Sequence, residues 1–404
     1  MEPSYRRSRF LPTEYTSFRP DIINFFLEQI LPNSKRILDP MAGTAPLIPY
    51  IGILNKQAIF NDINPLHYFV NRAKTRQCYN SLNTCFKGKM EALFKEVYYC
   101  LRKLRGKRLE ISDKWIPDNI LDGLMFAWET SDTYDEQISH FIKAIVLLTV
   151  RPFSSISKSE KNSTWFKPGG MTTYKDPKDI IKSLISIYTN YFGYYYSIST
   201  NNIGKIDFSI GDASSITVDN AVDSIITSPP YPNRYDFTTA FCPELYFLNK
   251  VGVSPIIDEL KKNMLASNSV KNFTSSTSEI ANSQELPRSV LGYLAAVKRK
   301  GKPKENNYYH RYFLKYYSSL FRIIEKLATL LSPDGSLYIV VQNNVHRGEL
   351  NTIDKFVKEY LINKGFHVKK RYQTPVSHQG KRNISATHPV VIQKHFETII
   401  QASR

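Results

Sequence analysis

The sequence predicts an α/β protein built on a mostly parallel sheet, with an antiparallel edge strand and a mainly helical insertion. Three observations carry that prediction. A strand–helix–strand unit is legible between Arg36 and Asp62, and such a unit starts a parallel sheet. Sheet signals resume at Ile206–Ile210, Val222–Thr227 and Ser336–Val341, where apolar runs suit buried parallel strands. Between residues 66 and 200 the spacing turns helical, with none of the alternation a sheet needs.

The elements follow in order. Residues 1–36 begin basic and irregular. Pro20–Ile30 then reads as a helix, with Ile22, Ile23, Phe26, Leu27 and Ile30 at helical spacing and Asp21 at its positive end. Arg36–Leu38 is a short strand entering Asp39-Pro40-Met41-Ala42-Gly43-Thr44-Ala45-Pro46. Leu47–Leu54 is a helix whose Pro49 must fall in the first turn. Ala58–Phe60 is the second strand, ended by Asn61-Asp62-Ile63-Asn64-Pro65.

Residues 71–200 are expected to form the helical insertion, with helices at Glu91–Leu104, Glu136–Val150 and Lys178–Tyr196. Ser154–Thr164 and the following Trp165-Phe166-Lys167-Pro168-Gly169-Gly170 should be an exposed loop. The core domain then comprises 1–70 and 201–400. Within it, residues 260–305 read as a flexible basic loop, with a Ser-, Asn- and Thr-rich stretch at 267–284 and the cluster Lys298-Arg299-Lys300-Gly301-Lys302-Pro303-Lys304. Tyr312–Leu331 is an amphipathic helix ending at the turn Pro333-Asp334-Gly335. Ile353–Lys364 is the next helix, stopped by Gly365-Phe366. His367–Tyr372 and Val390–Lys394 are expected as the last strands, antiparallel at one edge.

The totals narrow the function. At 404 residues, with 42% hydrophobic and 22% charged residues, the chain resembles a soluble globular protein in composition. No apolar run approaches a membrane span, and the amino terminus lacks the apolar region of a secretory signal. No membrane partner is expected. The four cysteines form no CxxC pair, and His310, His346, His378 and His388 lack metal-like spacing, so no metal is expected. Reduced thiols fit a cytoplasmic protein, and the Lys-, Asn-, Ile- and Tyr-rich composition fits a low-GC prokaryote or its mobile elements. The net charge of +18 and pI of about 9.5 concentrate a polyanion and make its binding salt-dependent; a lysine-rich surface is the plainer alternative. The 26 tyrosines and 23 phenylalanines supply stacking surfaces as well as core, which favours nucleic acid.

Four strand ends carry the chemistry. Asp39–Ala45 lies between strand and helix, where small residues let backbone approach a cofactor and the helix start favours a negative group; it is a structural turn as readily as a site. Asp62, about 20 residues further on, occupies the position of an acid that binds ribose hydroxyls in nucleotide-type sheets; the alternative is a cap on the next helix. Asp212 in Gly211-Asp212-Ala213 is placed to accept from an amino group on a cofactor base, or is a turn aspartate. Last, Val222–Thr227 stops at Ser228-Pro229-Pro230-Tyr231. The prolines end strand pairing. A hydroxyl, rigid carbonyls and a flat ring offer acceptors and a stacking face to a planar amino-bearing base.

These residues carry a resemblance. The chain resembles the S-adenosylmethionine-dependent amino-methyltransferases that modify DNA at cytosine N4 or adenine N6. Asp39, Pro40, Met41, Ala42 and Gly43 resemble their cofactor loop, written DPFxGxG, with Met41 for the usual aromatic and Ala45 for the second glycine. Asp62 resembles their ribose acid and Asp212 the acid that reads the cofactor adenine. Thr16-Ser17-Phe18-Arg19-Pro20 resembles the methionine-side motif, which makes Thr16 and Phe18 cofactor residues. Ser228–Tyr231 is similar to the (S/D/N)PPY catalytic motif, and Pro232–Phe237, with Arg234, continues it as cytosine-N4 enzymes do. The likeness covers 13–70 and 206–245, and more loosely 308–395.

The resemblance implies a Rossmann-like methyltransferase sheet, S-adenosylmethionine as cofactor and double-stranded DNA as partner, in a restriction–modification setting with a cognate endonuclease. Ser228 and the Pro229 carbonyl would draw the amine toward tetrahedral geometry, and Tyr231 would stack on a base rotated out of the duplex. Serine at the first position favours cytosine N4 over adenine N6. Arg234, Lys298, Arg299, Lys300 and Lys302 would contact DNA, unless the 298–304 cluster is merely a solvated loop. Cys242-Pro243 has the reverse of the Pro-Cys order, which argues against carbon-5 methylation. Two further readings stay open: an RNA or tRNA amino-methyltransferase, and a non-catalytic nucleic-acid-binding protein on the same scaffold.

Overall fold

A computed structural model of the chain describes residues 18–75, 95, 99, 115–116, 118–154, 156–159, 162–168, 204–232, 237–254, 257–267, 286–300, 303–375 and 396–404. Thr16, Arg234, Lys302, most of Glu91–Leu104, all of Lys178–Tyr196 and the strand expected at Val390–Lys394 lie outside these residues.

Pro20–Phe25 forms α1 and continues as a π-helical turn over Phe26–Ile30, with Ile22, Ile23, Phe26 and Ile30 buried. Strand β1 is Arg36–Asp39, α2 is Ile48–Ile53 with its proline in the first turn, and β2 is Gln57–Asp62. Helix α3 spans Pro65–Arg72 and is capped by Asn64, whose side chain accepts the Leu66 amide. Helices α4 (Asp118–Thr130) and α5 (Glu136–Phe153) follow, the second capped by Asp135.

The exposed loop expected after α5 is instead a hairpin of β3 (Ile156–Ser159) and antiparallel β4 (Asn162–Pro168). Thr164, Trp165 and Phe166 favour strand, and pairing satisfies backbone groups that the Ser and Lys content had assigned to a turn. The insertion is therefore not wholly helical among the described residues.

Strands β5 (Ile206–Ile210) and β6 (Val222–Thr227) form as expected. Short helices α6 (Phe237–Ala240), α7 (Cys242–Lys250) and α8 (Ile257–Asn263) follow. Helix α9 (Arg288–Arg299) lies within the expected flexible loop, whose residues 268–285 fall outside the described ones. Its Val290, Tyr293, Leu294 and Val297 are buried at helical spacing, so the basic residues at its end sit where a helix dipole favours them. Helix α10 begins at Pro303 rather than Tyr312 and runs to Ala328, since proline suits a first helical turn.

Strand β7 is Leu331–Gln342. The expected turn at Pro333–Gly335 survives inside it as an irregularity, where pairing with β6 jumps from Val222↔Leu331 to Ser224↔Ser336. A side chain at Gly335 would meet the Val222 carbonyl at 3.1 Å. A small hairpin, β8 (Asn344–His346) and β9 (Glu349–Asn351), precedes α11 (Ile353–Asn363), β10 (His367–Pro375) and β11 (Phe396–Ser403).

Among the described residues the large sheet has seven strands in the order β10-β11-β7-β6-β1-β2-β5. Strand β6 runs parallel to β1 and β7, and β5 runs parallel to β2. Strand β11 is antiparallel to both its neighbours, β7 and β10. The antiparallel pair β10–β11 thus closes one edge of the sheet, as expected, with the reversed strand one place inside it. Composition explains it. Thr398, Ile399, Ile400 and Ala402 of β11 are buried, whereas Lys369, Lys370 and Arg371 of β10 are exposed and protect an open edge.

The chain divides into two compact units. The first holds the described parts of 1–33, 43–210 and 237–260; the second holds 34–42, 211–236 and 261–404. In the first, Trp128 packs edge-on against Phe69 and Phe247. The buried Arg151–Glu244 pair, bonded through two nitrogens at 2.7 Å, ties α5 to α7. In the second, Tyr293, Phe313, Tyr317 and Phe356 build an aromatic core, and Phe321 stacks on Tyr360 at 4.0 Å.

Candidate active site

Strand β6 leads into the first candidate loop. Its pairing with β7 ends at Thr227↔Ile339, and Ser228-Pro229-Pro230-Tyr231 carries the chain onward without strand structure. Ser228 Oγ donates to the Tyr231 hydroxyl at 3.1 Å, and Tyr231 donates to Glu397 Oε1 at 2.6 Å. Two more side chains hold the loop from outside. The Tyr316 hydroxyl of α10 donates to the Pro230 carbonyl at 2.9 Å, and Asn344 Nδ2 of β8 donates to the Pro232 carbonyl at 3.2 Å. Burial, then the nearby Glu397 charge, holds the Tyr231 phenol well above its ordinary pKa. Burial does the same to Tyr316. Both hydroxyls therefore stay protonated and act as donors.

The candidate loops after β1 and β2 are built differently. Asp39, 2% exposed at the end of β1, accepts the Met41 amide at 3.3 Å and closes the turn over Pro40; Ala42 is buried beside it. Gly43 has φ +51° and Ala45 has φ +41°, so the alanine standing for the second glycine adopts a left-handed backbone that glycine would take without penalty.

The Gly43 amide donates to Asp62 Oδ2 at 2.7 Å, and the Asn64 amide to Asp62 Oδ1 at 2.8 Å. His67 Nδ1 lies 3.1 Å from Asp62 Oδ2. Burial acts to raise the Asp62 pKa, but His67 and the two amides outweigh it, and the carboxyl sits below its ordinary value. Asp62 is not the cap of α3, since Asn64 takes that role. Helix α3 also grips the loop: Asn71 Nδ2 donates to the Gly43 carbonyl at 2.8 Å, and the Lys74 amine donates to the Thr44 carbonyl and to Asn71 Oδ1. Burial pulls the Lys74 amine down to about 7.

The remaining expected residues fall in varied places. Asp212 Oδ1 accepts the Ser214 amide at 2.8 Å, which makes it a turn aspartate whose carboxylate keeps further acceptor capacity. Phe18 is 8% exposed and packs edge-on to Phe26 at 5.4 Å. Lys298 and Arg299 are exposed in the last turn of α9, and the Lys300 ammonium pairs with Glu349 at 2.6 Å. Within the first unit the fold joins Gly43 to Asp62; within the second it joins Ser228 to Tyr231. Glu397, Tyr316 and Asn344 were not expected at the site. A lone acid in the apolar run of β11 is the sequence signal that could have found one of them. Among the described residues no cluster of potential metal ligands occurs, and no helix is long and apolar enough to cross a membrane.

The strand order, with polar turns after β1, β2, β5 and β6, defines an α/β fold of the Rossmann-like methyltransferase type. No family model matches the chain. It is similar to the type II methyltransferase M.AvaI of Nostoc sp. and of Anabaena variabilis, with 24% identity over 425 residues, 96% of this chain and 84% of each relative. It is also similar to the type II methyltransferase M.BsoBI of Geobacillus stearothermophilus, with 22% identity over 369 residues, 83% of this chain and 64% of that protein. Fold and near-full-length likeness together support a methyltransferase.

Proposed function

We propose that this chain is a cytoplasmic DNA methyltransferase of a restriction–modification system, acting on the exocyclic amine of a base in duplex DNA, with cytosine N4 as the target. The observation that carries the reading is the Ser228–Tyr231 loop at the end of β6, held by Glu397 and Tyr316. Likeness to type II methyltransferases supports it, as does the +18 charge. A cognate endonuclease is part of this proposal.

The residues present suit S-adenosylmethionine. Asp62, held anionic beside the Gly43 amide, is an acceptor for a ribose diol. Asp39, Pro40, Met41 and Ala42 shape the adjoining turn. Asp212 would read the adenine, and Thr16 and Phe18 would serve the methionine end. When bound, that cofactor supplies a methyl group on a sulfonium, which leaves as a neutral thioether once an amine lone pair has displaced it.

The chain's own part is to make the amine a nucleophile. Its lone pair is delocalised into the base ring. Hydrogen bonds from its protons to Ser228 Oγ and the Pro229 carbonyl draw it toward tetrahedral geometry, and positioning supplies much of the rate. The methylated amine is transiently cationic and releases one of these protons to water. The Tyr231 ring offers a face to the extruded base while its hydroxyl stays bonded to Glu397. Arg234, Lys298, Arg299, Lys300 and Lys302 are assigned to phosphates, where Lys300 must exchange Glu349 for DNA.

Labelled methyl transfer to unmethylated duplex DNA and to tRNA, followed by nucleoside analysis, tests the proposal. N4-methylcytosine from DNA is expected. N6-methyladenine from DNA would move the target to the other amine. Product from tRNA alone, or none from either, would overturn the reading.

A further inference from the structure

Glu397 stands outside every motif in the sequence, yet its carboxylate ends the hydrogen-bond chain that starts at Ser228. It lies on β11, 6% exposed, in register with Gln342 of β7 and Thr374 of β10. An acid buried so deeply is costly unless its oxygens accept hydrogen bonds. The 2.6 Å contact to Tyr231 has the length of a hydroxyl bonded to an ionised carboxylate.

With Glu397 ionised, counting protons fixes the direction of the chain. A carboxylate only accepts, and a phenol has one proton to give. Tyr231 spends that proton on Glu397, so the 3.1 Å contact between Ser228 and Tyr231 must carry the serine proton. With its proton turned toward Tyr231, Ser228 Oγ presents only lone pairs on its other side. That suits a partner that arrives with N–H groups. Were Glu397 neutral or absent, the phenol proton would be available to Ser228, and the serine proton would then face the amine.

We propose that Glu397 is a positioning residue which, acting through Tyr231, sets Ser228 as a hydrogen-bond acceptor for the target amine. The inference rests on the amine-transfer reading above and extends it to a residue on the reversed strand. Glu397 touches neither base nor cofactor in this scheme; its effect passes through one hydroxyl.

The test measures kcat, KM for DNA and cofactor affinity on the full chain, with unmethylated genomic duplex DNA and labelled S-adenosylmethionine. Glu397→Leu removes the acceptor, Glu397→Gln keeps a carbonyl acceptor, and Tyr231→Phe removes the intermediate hydroxyl but keeps the ring. Glu397→Leu and Tyr231→Phe should each lower kcat about 10- to 100-fold, the scale of a misplaced reacting group. KM and cofactor affinity should stay within about twofold, and Glu397→Gln should recover part of the rate. The double variant should be no slower than Tyr231→Phe alone, because both changes break one chain.

Additive losses, or a raised KM with kcat intact, would overturn the inference. If Glu397→Leu fails to fold, Tyr231→Phe still breaks the chain at its middle, and an unchanged kcat there overturns the inference by itself. Full activity in Glu397→Leu with an inactive Ser228→Ala would remove only Glu397's role. Full activity in Ser228→Ala would remove the amine-transfer reading itself.

Discussion

The loop after β6 and the loop after β1 are both short turns at strand ends, yet they are held by opposite means. Ser228–Pro232 is stiffened by its own prolines and fastened by side chains from far along the chain: Tyr316, Asn344 and Glu397. The Gly43–Thr44 turn is fastened locally, by Asp62, Asn71 and Lys74 within the same strand–helix unit. Remote fastening fixes one hydroxyl against one ring, which suits positioning of a reacting group. Local fastening holds backbone and a carboxylate in place, which on the proposed reading suits binding.

Substitutions can break that contrast, and the largest effect belongs to the remote side. Ser228→Ala should lower kcat about 100-fold or more, the scale of a lost transition-state hydrogen bond, with cofactor affinity unchanged in calorimetry. Equal losses in rate and cofactor affinity would erase the distinction between the two loops.

On the local side, Asp62→Asn should weaken cofactor binding about 10-fold or more, as expected for loss of a charge-assisted hydrogen bond. The same change should act on stability with a defined pH dependence. The folded-state pKa of Asp62 is depressed, so its contribution is complete above the ordinary aspartate value of about 4 and is lost as pH falls through the folded value. Denaturant melts of wild type and Asp62→Asn should therefore differ at pH 7 and converge in acid.

Lys74 extends the prediction to high pH. Its amine falls from 10.5 to about 7 on folding, so the unfolded chain holds the proton over the interval between. Stability should rise with pH across that interval, and Lys74→Met should flatten the rise in melts at pH 7, 9 and 10.5. The smallest effect is at Ala45, where φ is +41°. Ala45→Gly should stabilise by about 1 kcal/mol at most, because relief of the left-handed backbone is partly offset by greater freedom when unfolded.

Much of this was legible in the sequence, and the reason lies in locality. Asp39, Asp62 and Ser228–Tyr231 sit at the ends of strands whose apolar residues announce them. The parallel strands β1, β2, β5 and β6 were placed within one or two residues. Pairing over long separations was not legible. Glu397 and Gln401 interrupt the apolar pattern of β11, and the strand's place between β7 and β10 depends on neighbours rather than on its own residues. Tyr316 looks like any apolar position of α10, and only the fold brings its hydroxyl to Pro230. The basic end of α9 read as a loop because lysine and arginine report solvent, and solvent covers helix ends as readily as turns.

The place of β11 also orders events during synthesis. It leaves the ribosome after the other described strands of the sheet, and it must then enter between β7 and β10, which precede it. Contacts spanning so much chain form late in folding. A nascent chain that has released β6, β7 and β10 carries the Ser-Pro-Pro-Tyr loop without Glu397, and Tyr231 has no carboxylate to receive its proton. On the proposed reading, Ser228 is set as an acceptor only once β11 is in place.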